Sequence, residues 1–253
     1  MGAGPGCRCV RASGPLARPC RAVADRPEAK TMQNEPLIAE DLTLLMMDDA
    51  SGAIAGEGTL YYTLGGAVLV ELGLGGHIAA DPNETGLTGV KVRAGTGRPP
   101  SDPLLRGAYD TVAARVRGVH SLLAEVGTGL RTPVLDRLVK RGTVRRRSTK
   151  WLGFIPSTSL TIADTAHKKA LVGQVRAVLL DGAEPDARTA ALAGLLSASG
   201  TLPSLHRSIP WSGALYKRAK ELEQGSWGAE AVNAAVLRTM AAIAAGSAAA
   251  VTA

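Results

Sequence analysis

The chain has 253 residues, 45% of them hydrophobic, and a formal charge of +7. That length buries one large core or two small ones. Aromatic residues at 3% leave such a core to Leu, Val, Ile and Ala, the usual filling of packed helices.

All three cysteines, Cys7, Cys9 and Cys20, fall in the first 31 residues, so the rest of the chain folds without a disulfide. A metal reading of the three finds no fourth ligand in range. Residues 1–31 also hold six basic residues against two acidic ones, +4 of the total, which leaves +3 for everything after. The segment lacks the apolar run of a secretory signal. It fails the myristoylation pattern because Gly6 stands where Ser or Thr is required. Its Gly, Pro and Arg content predicts a disordered tail over 1–36. Met32 offers an alternative start, which would make 1–31 an over-extended gene reading. The expected folded domain is 37–253.

In chain order, Pro36 to Met47 reads as a first helix, with Leu37, Ile38, Leu42, Leu44 and Leu45 on a 3.6-residue stripe. Asp48 to Gly52 ends it, and a glycine-rich link over Gly52–Gly58 follows. Leu64 to Leu74 is then apolar on almost every side, with Glu71 as its only charge. A helix hydrophobic all round belongs inside a fold. Eleven residues rise only about 16 Å as a helix, too short to span a bilayer. A buried strand is the alternative, and Gly75-Gly76 as a C-terminal stop favours the helix.

His77 to Ala80 and Gly89 to Arg93 look like two short strands, with a turn at Asp81 to Glu84. Ser101-Asp102-Pro103 is a helix start, and the helix runs to about Arg117. A short helix covers His120 to Val126, and Arg131 to Arg141 makes the next, closed by Gly142. Thr143 to Ile155 reads as a β-hairpin turning at Ser148-Thr149-Lys150 and stopped by Pro156. The rest is helical: Asp164 to Leu180 with Ala166, Ala170, Leu171, Val175, Val178 and Leu179 on one face, Asp186 to Ala198, Trp211 to Leu222, and an Ala-rich helix from Trp227 to Val251. Arg238 sits midway in the last, which reads as packed rather than membrane-spanning. The fold class is mainly α: amphipathic helices around a central hydrophobic one, with one or two small β-hairpins.

No enzyme signature is present. The histidines His77, His120, His167 and His206 are far apart, and none has a metal-ligand partner at helical spacing. There is no phosphate-binding Gly-Lys-Ser/Thr loop and no Gly-x-Ser-x-Gly elbow. The reading is therefore a protein without catalytic residues, metal or cofactor. The informative stretch is Arg131 to Phe154, where Arg131, Arg137, Lys140, Arg141, Arg145, Arg146, Arg147 and Lys150 surround Trp151-Leu152-Gly153-Phe154. Basic charge beside an aromatic tip suits an anionic membrane surface, at about 1 kcal/mol per Lys or Arg, while a solvated basic face over a core Trp151 is the plainer explanation. Helix, helix and basic hairpin is also the winged-helix layout of DNA-binding proteins, with Arg145 to Lys150 as the wing. Against it, no Asn or Gln lies between Arg131 and Arg141 to read bases.

Leu37 to Leu45, Gly65 to Ile78, and Leu138 to Val144 with the hairpin after it resemble the Golgi phosphoprotein 3 family in residues, order and spacing. The resemblance runs from about 37 to 245, almost everything past the tail. It implies a peripheral membrane protein that binds phosphatidylinositol 4-phosphate or a similar anionic headgroup. The family's hairpin supports membrane contact and self-association, and Trp151, Leu152 and Phe154 fall on it. By spacing, the headgroup Trp and Arg before and in the central helix fall at Gly56 and Gly65, and the later Arg pair at Thr128 and Arg131; only Arg131 is of the family's type. The expected headgroup residues are Arg131, Arg137, Arg145 and Arg146. The Ala, Gly and Arg bias points to a GC-rich bacterial genome, hence a cytoplasmic protein peripheral at the inner face of the membrane. Its partners would be anionic phospholipid and a second copy through the hairpin, with nucleic acid not expected.

Overall fold

The computed structural model describes residues 35–86, 88–151 and 155–225, with the side chains of 81, 82, 85, 86 and 148–158 left aside. The expected tail and the expected helix from Trp227 lie outside the described residues, as do Leu152 and Phe154. Residues Pro36–Ala253 make up one unit. Helix α1 spans Ile38–Met46 and is buried along its whole length. Helix α2, Leu60–Leu74, is the central one. It starts a turn earlier than the apolar run implied, because a 3-10 turn at Glu57–Thr59 leads Tyr61 and Tyr62 into it. Its end is as the glycines predict: Gly76 takes φ 68°, and His77 N–H donates back to the Leu72 carbonyl at 2.9 Å.

Strands β1 (Ile78–Gly86) and β2 (Gly89–Ala94) pair antiparallel. The expected turn at Asp81 to Glu84 is instead a register irregularity inside β1, and the reversal comes between Gly86 and Gly89. Helix α3, Pro103–Ala113, opens as its sequence requires: Asp102 accepts from the N–H groups of Leu104 and Leu105. It ends four residues before the expected Arg117, because β3 (Arg117–Gly118) joins the sheet beside β2. A Cβ on Gly118 would stand 2.0 Å from Thr88 Oγ1, so the strand's close approach to Thr88 leaves no space for a side chain.

Helix α4 is Val119–Gly127 and α5 is Arg131–Lys140. Two glycines let α4 lie against α2. A Cβ on Gly65 would come within 2.4 Å of the Leu123 carbonyl oxygen, and one on Gly127 within 1.8 Å of the Tyr61 carbonyl oxygen. The hairpin strands β4 (Val144–Trp151) and β5 (Ile155–Ile162) pair in continuous register from Val144 opposite Ile162 to Trp151 opposite Ile155. Ser148 to Lys150 therefore lies in a strand, and Pro156 sits opposite Lys150 rather than ending the hairpin. A reversal at Lys150 would have cost the outer pairs; a longer ladder keeps them.

Helices α6 (Thr165–Leu180), α7 (Ala187–Ala198) and α8 (Gly213–Gln224) close the described fold, capped by Asp164, Asp186 and Ser212. On α6, Leu171, Val175, Val178 and Leu179 face inward as expected, but Ala166 and Ala170 are exposed and Lys168 is buried in their stead. Lys168 turns in because its ammonium reaches the Met47 carbonyl and the Asp49 carboxylate, at 2.5 Å for the latter. Trp211 precedes α8 and is half exposed, 6.1 Å from the Tyr216 ring. The fold is mainly helical, with eight α-helices and two small antiparallel sheets among the described residues. No described helix is long and apolar enough to cross a membrane.

Candidate lipid-binding surface

The arginines of the Arg131–Phe154 stretch divide into two kinds by what they touch. Arg137 points inward from α5. Its Nη1 lies 2.9 Å from Asp102 Oδ2, and its Nε lies 3.2 Å from Glu40 Oε2. Glu40 is fully buried, and it also holds Arg141 Nε at 2.8 Å and accepts the Leu37 N–H at 2.8 Å. Burial works against the Arg137 charge, but the Glu40 and Asp102 carboxylates outweigh it and hold its pKa above the usual arginine value. Arg137, expected at the headgroup, is therefore a tie between α1, α3 and α5. A buried carboxylate has to be paired, and residues 137 and 141, one helical turn apart, approach it together.

Arg131 and Arg146 are on the surface with partners. Arg131 Nε reaches Glu57 Oε1 at 2.5 Å, both side chains half exposed. Arg146 Nη2 reaches Asp136 Oδ1 at 2.5 Å. Such exposed pairs contribute about 0–1 kcal/mol and open readily. Arg145 differs. It is exposed, and among the described residues no acidic side chain pairs with it. Strand alternation puts Arg147 on the same face, and it too is exposed with no described acidic partner. Val144 and Arg146 take the other face: Val144 is buried, and Arg146 meets α5 through Asp136. The outward basic face of the hairpin is thus Arg145 and Arg147.

The arm carrying them is long. Seven residue steps from Val144 to Trp151 at about 3.3 Å each give roughly 23 Å. Leu160 and Ile162 pack at its base, and the connection over 152–154, where the aromatic tip was expected, lies outside the described residues.

The positions matching the family's other headgroup residues hold no such set. Gly65 faces the Leu123 carbonyl so closely that no side chain fits, and Gly56 has φ 68° with Thr201 beside it. The helix crossing occupies the space where an arginine would stand.

A second polar cluster, not foreseen from the sequence, surrounds the start of α1. Asp41 binds His167 Nε2 at 2.8 Å and Arg188 Nη2 at 2.7 Å. Arg188 also donates to the Pro36 carbonyl and lies 3.5 Å from Glu71. Glu71 accepts the Ile38 N–H at 2.5 Å. Burial raises the Glu71 pKa above 4.5, with the Ile38 N–H and Arg188 opposing. The only signal for this cluster was acidic residues inside apolar runs; their partners His167 and Arg188 lie more than a hundred residues away. It has the form of a structural tie, each acid answering a helix start or a cation. Two other histidines meet backbone carbonyls: His77 Nδ1 lies 3.0 Å from that of Arg98 and His206 Nδ1 3.2 Å from that of Pro203. Among the described residues no three His, Cys, Asp or Glu side chains group as metal ligands.

No curated protein matches the chain. Residues 38–239 match the family described as Golgi phosphoprotein 3 (GPP34), which takes in every described helix and both sheets. With that match over most of its length, on a fold of amphipathic helices around a buried apolar one, the chain belongs to the Golgi phosphoprotein 3 family.

Proposed function

We propose that this protein is a non-catalytic peripheral membrane protein that binds anionic phospholipid, phosphoinositide-like in the chemistry of its headgroup, at the inner face of a membrane. Family membership supports the class of ligand. The single observation that carries the surface is the outward pair Arg145 and Arg147, exposed without a described acidic partner on a long hairpin. Arg131 and Arg146 join it when their exposed ion pairs open to phosphate. Trp151, Leu152 and Phe154, which end and follow β4 in the sequence, supply apolar side chains to the interface and to the contact between copies. Specificity for one phosphoinositide is not part of the proposal, because Gly65 leaves no space for the family's arginine.

Winged-helix DNA binding is disfavoured by the same geometry. The presumed reading helix α5 exposes Asp136 and Pro133 and turns Arg137 inward. Liposome flotation tests the proposal. The parent floats with vesicles rich in anionic phospholipid and not with neutral ones. Arg145→Ala/Arg147→Ala loses about 2 kcal/mol of membrane affinity, and Trp151→Ala/Phe154→Ala loses flotation. Unchanged flotation of both double variants, or tight binding to duplex DNA in a gel shift, overturns the reading.

A further inference from the structure

A cavity of about 510 Å³ lies away from the basic hairpin face and shares no residue with it. Ligand pockets fall in the range of about 300–1,000 Å³ and combine apolar walls with a few placed polar groups. Here Met46, Met47, Ile54, Val172 and Leu205 are apolar lining residues. Charged groups line it as well. Lys168, Lys169 and Arg207 line the cavity against Asp48 and Asp49, an excess of one positive charge.

Lys168 makes this more than a greasy cleft. Its side chain is nine-tenths buried, while its carboxylate partner Asp49 is 76% exposed. A buried ammonium has to be matched, and it has three N–H donors. The Met47 carbonyl and Asp49 Oδ1 take two of them among the described residues. The exposed Asp49 can swing into water if an anionic group in the cavity replaces it. Lys169 and Arg207 are lining residues too, and both are exposed.

We propose that this cavity binds a single-chain amphiphile with an acidic head. A carboxylate or phosphate sits against Lys168 between Lys169 and Arg207, and a linear apolar tail lies along Met46, Met47, Ile54, Val172 and Leu205. Charge complementarity selects the head: three cations against two carboxylates leave the lining net positive, which favours an anion over an ammonium. The apolar walls select the tail: an inorganic anion would leave them wet.

Titration calorimetry of the full chain, without vesicles and below micellar concentrations, tests this with decanoate, decyl phosphate, decylamine and inorganic phosphate. Saturable binding of decanoate or decyl phosphate is expected, with decylamine and inorganic phosphate giving no saturable heat. The tighter of the two acidic probes identifies the head. Lys169→Ala/Arg207→Ala removes exposed charges only, so its circular dichroism stays that of the parent, and its affinity for the acidic probe falls about tenfold. Val172→Trp fills the tail wall and abolishes binding. Equal binding of decanoate and decylamine, parental affinity in the Lys169→Ala/Arg207→Ala variant, or no binding of either acidic probe overturns the proposal. None of these results bears on Arg145 and Arg147.

Discussion

At the scale of single residues, the arginines that looked alike in the sequence separate by burial of their partners. Glu40 is fully buried between Arg137 and Arg141, so Glu40→Ala removes the carboxylate that both share and leaves Arg137 its pair with Asp102. Breaking a buried pair in this way costs about 3–5 kcal/mol. Arg146→Ala opens only a surface pair to Asp136 and costs about 0–1 kcal/mol. Urea denaturation of the two variants reads that contrast directly. Glu71 gives a pH signature. Burial raises its folded pKa above 4.5, so the folded chain keeps this proton where the unfolded chain has lost it. The stability it contributes is present below that value and is lost as pH rises through the raised pKa. Gln at this position carries no such dependence. The stability difference between parent and Glu71→Gln therefore shifts toward the variant as pH rises out of the ordinary carboxylate range; a constant difference in denaturation midpoints would refute it. The lowered carboxyls of Asp48 and Asp186 act in the opposite sense and are common to both chains. The pairing of Glu40 with Arg137 and Arg141, and of Glu71 with Arg188, was not legible in the sequence, because each joins residues far apart in the chain.

At the scale of elements, the legible features were those with local causes. Asp102-Pro103, Asp164 and Asp186 mark helix starts, and Gly76 marks a helix end, because caps are made by residues within a few positions of one another. The misread features had tertiary causes. Arg117 leaves its helix to pair with β2, and Ser148 to Lys150 extends a strand rather than turning. Lys168 outranks Ala166 and Ala170 as an inward residue because acceptors wait for it at Met47 and Asp49. The contact of α2 with α4 rests on Gly65 and Gly127. Gly127→Ala puts a methyl against the Tyr61 carbonyl and forces the helices apart, at about 1–3 kcal/mol. Val68, with no exposed surface, tolerates no charge: Val68→Asp leaves an unpaired carboxylate in the core and unfolds the chain. Thermal melts of both variants check the assignment, and a parental melting temperature for either contradicts it.

At the scale of the whole chain, the apolar central helix and the basic arm were both visible in composition alone, and they carry the family likeness that residues 38–239 bear. The headgroup residues were less legible. Sequence order places Arg131, Arg137, Arg145 and Arg146 in one basic stretch, but alternation along β4 and the inward turn of α5 separate them onto different surfaces. What remains facing outward is Arg145 with Arg147. A membrane contact built on strand-borne charge depends on lipid charge density more than on headgroup stereochemistry. Flotation of the parent should accordingly follow the anionic fraction of the vesicle whatever the lipid that supplies it, and strict dependence on one headgroup would contradict this.

The loop after α1 touches both ends of this picture. Gly52 takes φ 70° with its Cα packed so tightly on the β5 backbone that a Cβ there would lie 1.8 Å from the Leu160 carbonyl oxygen. The same loop, through Asp48, Asp49, Ala53 and Ile54, walls the amphiphile cavity. Backbone atoms in such contact move together or not at all. If the proposed occupant displaces the loop, the base of the hairpin moves with it, and any effect on the proposed membrane affinity is returned as an equal factor on the occupant's own binding.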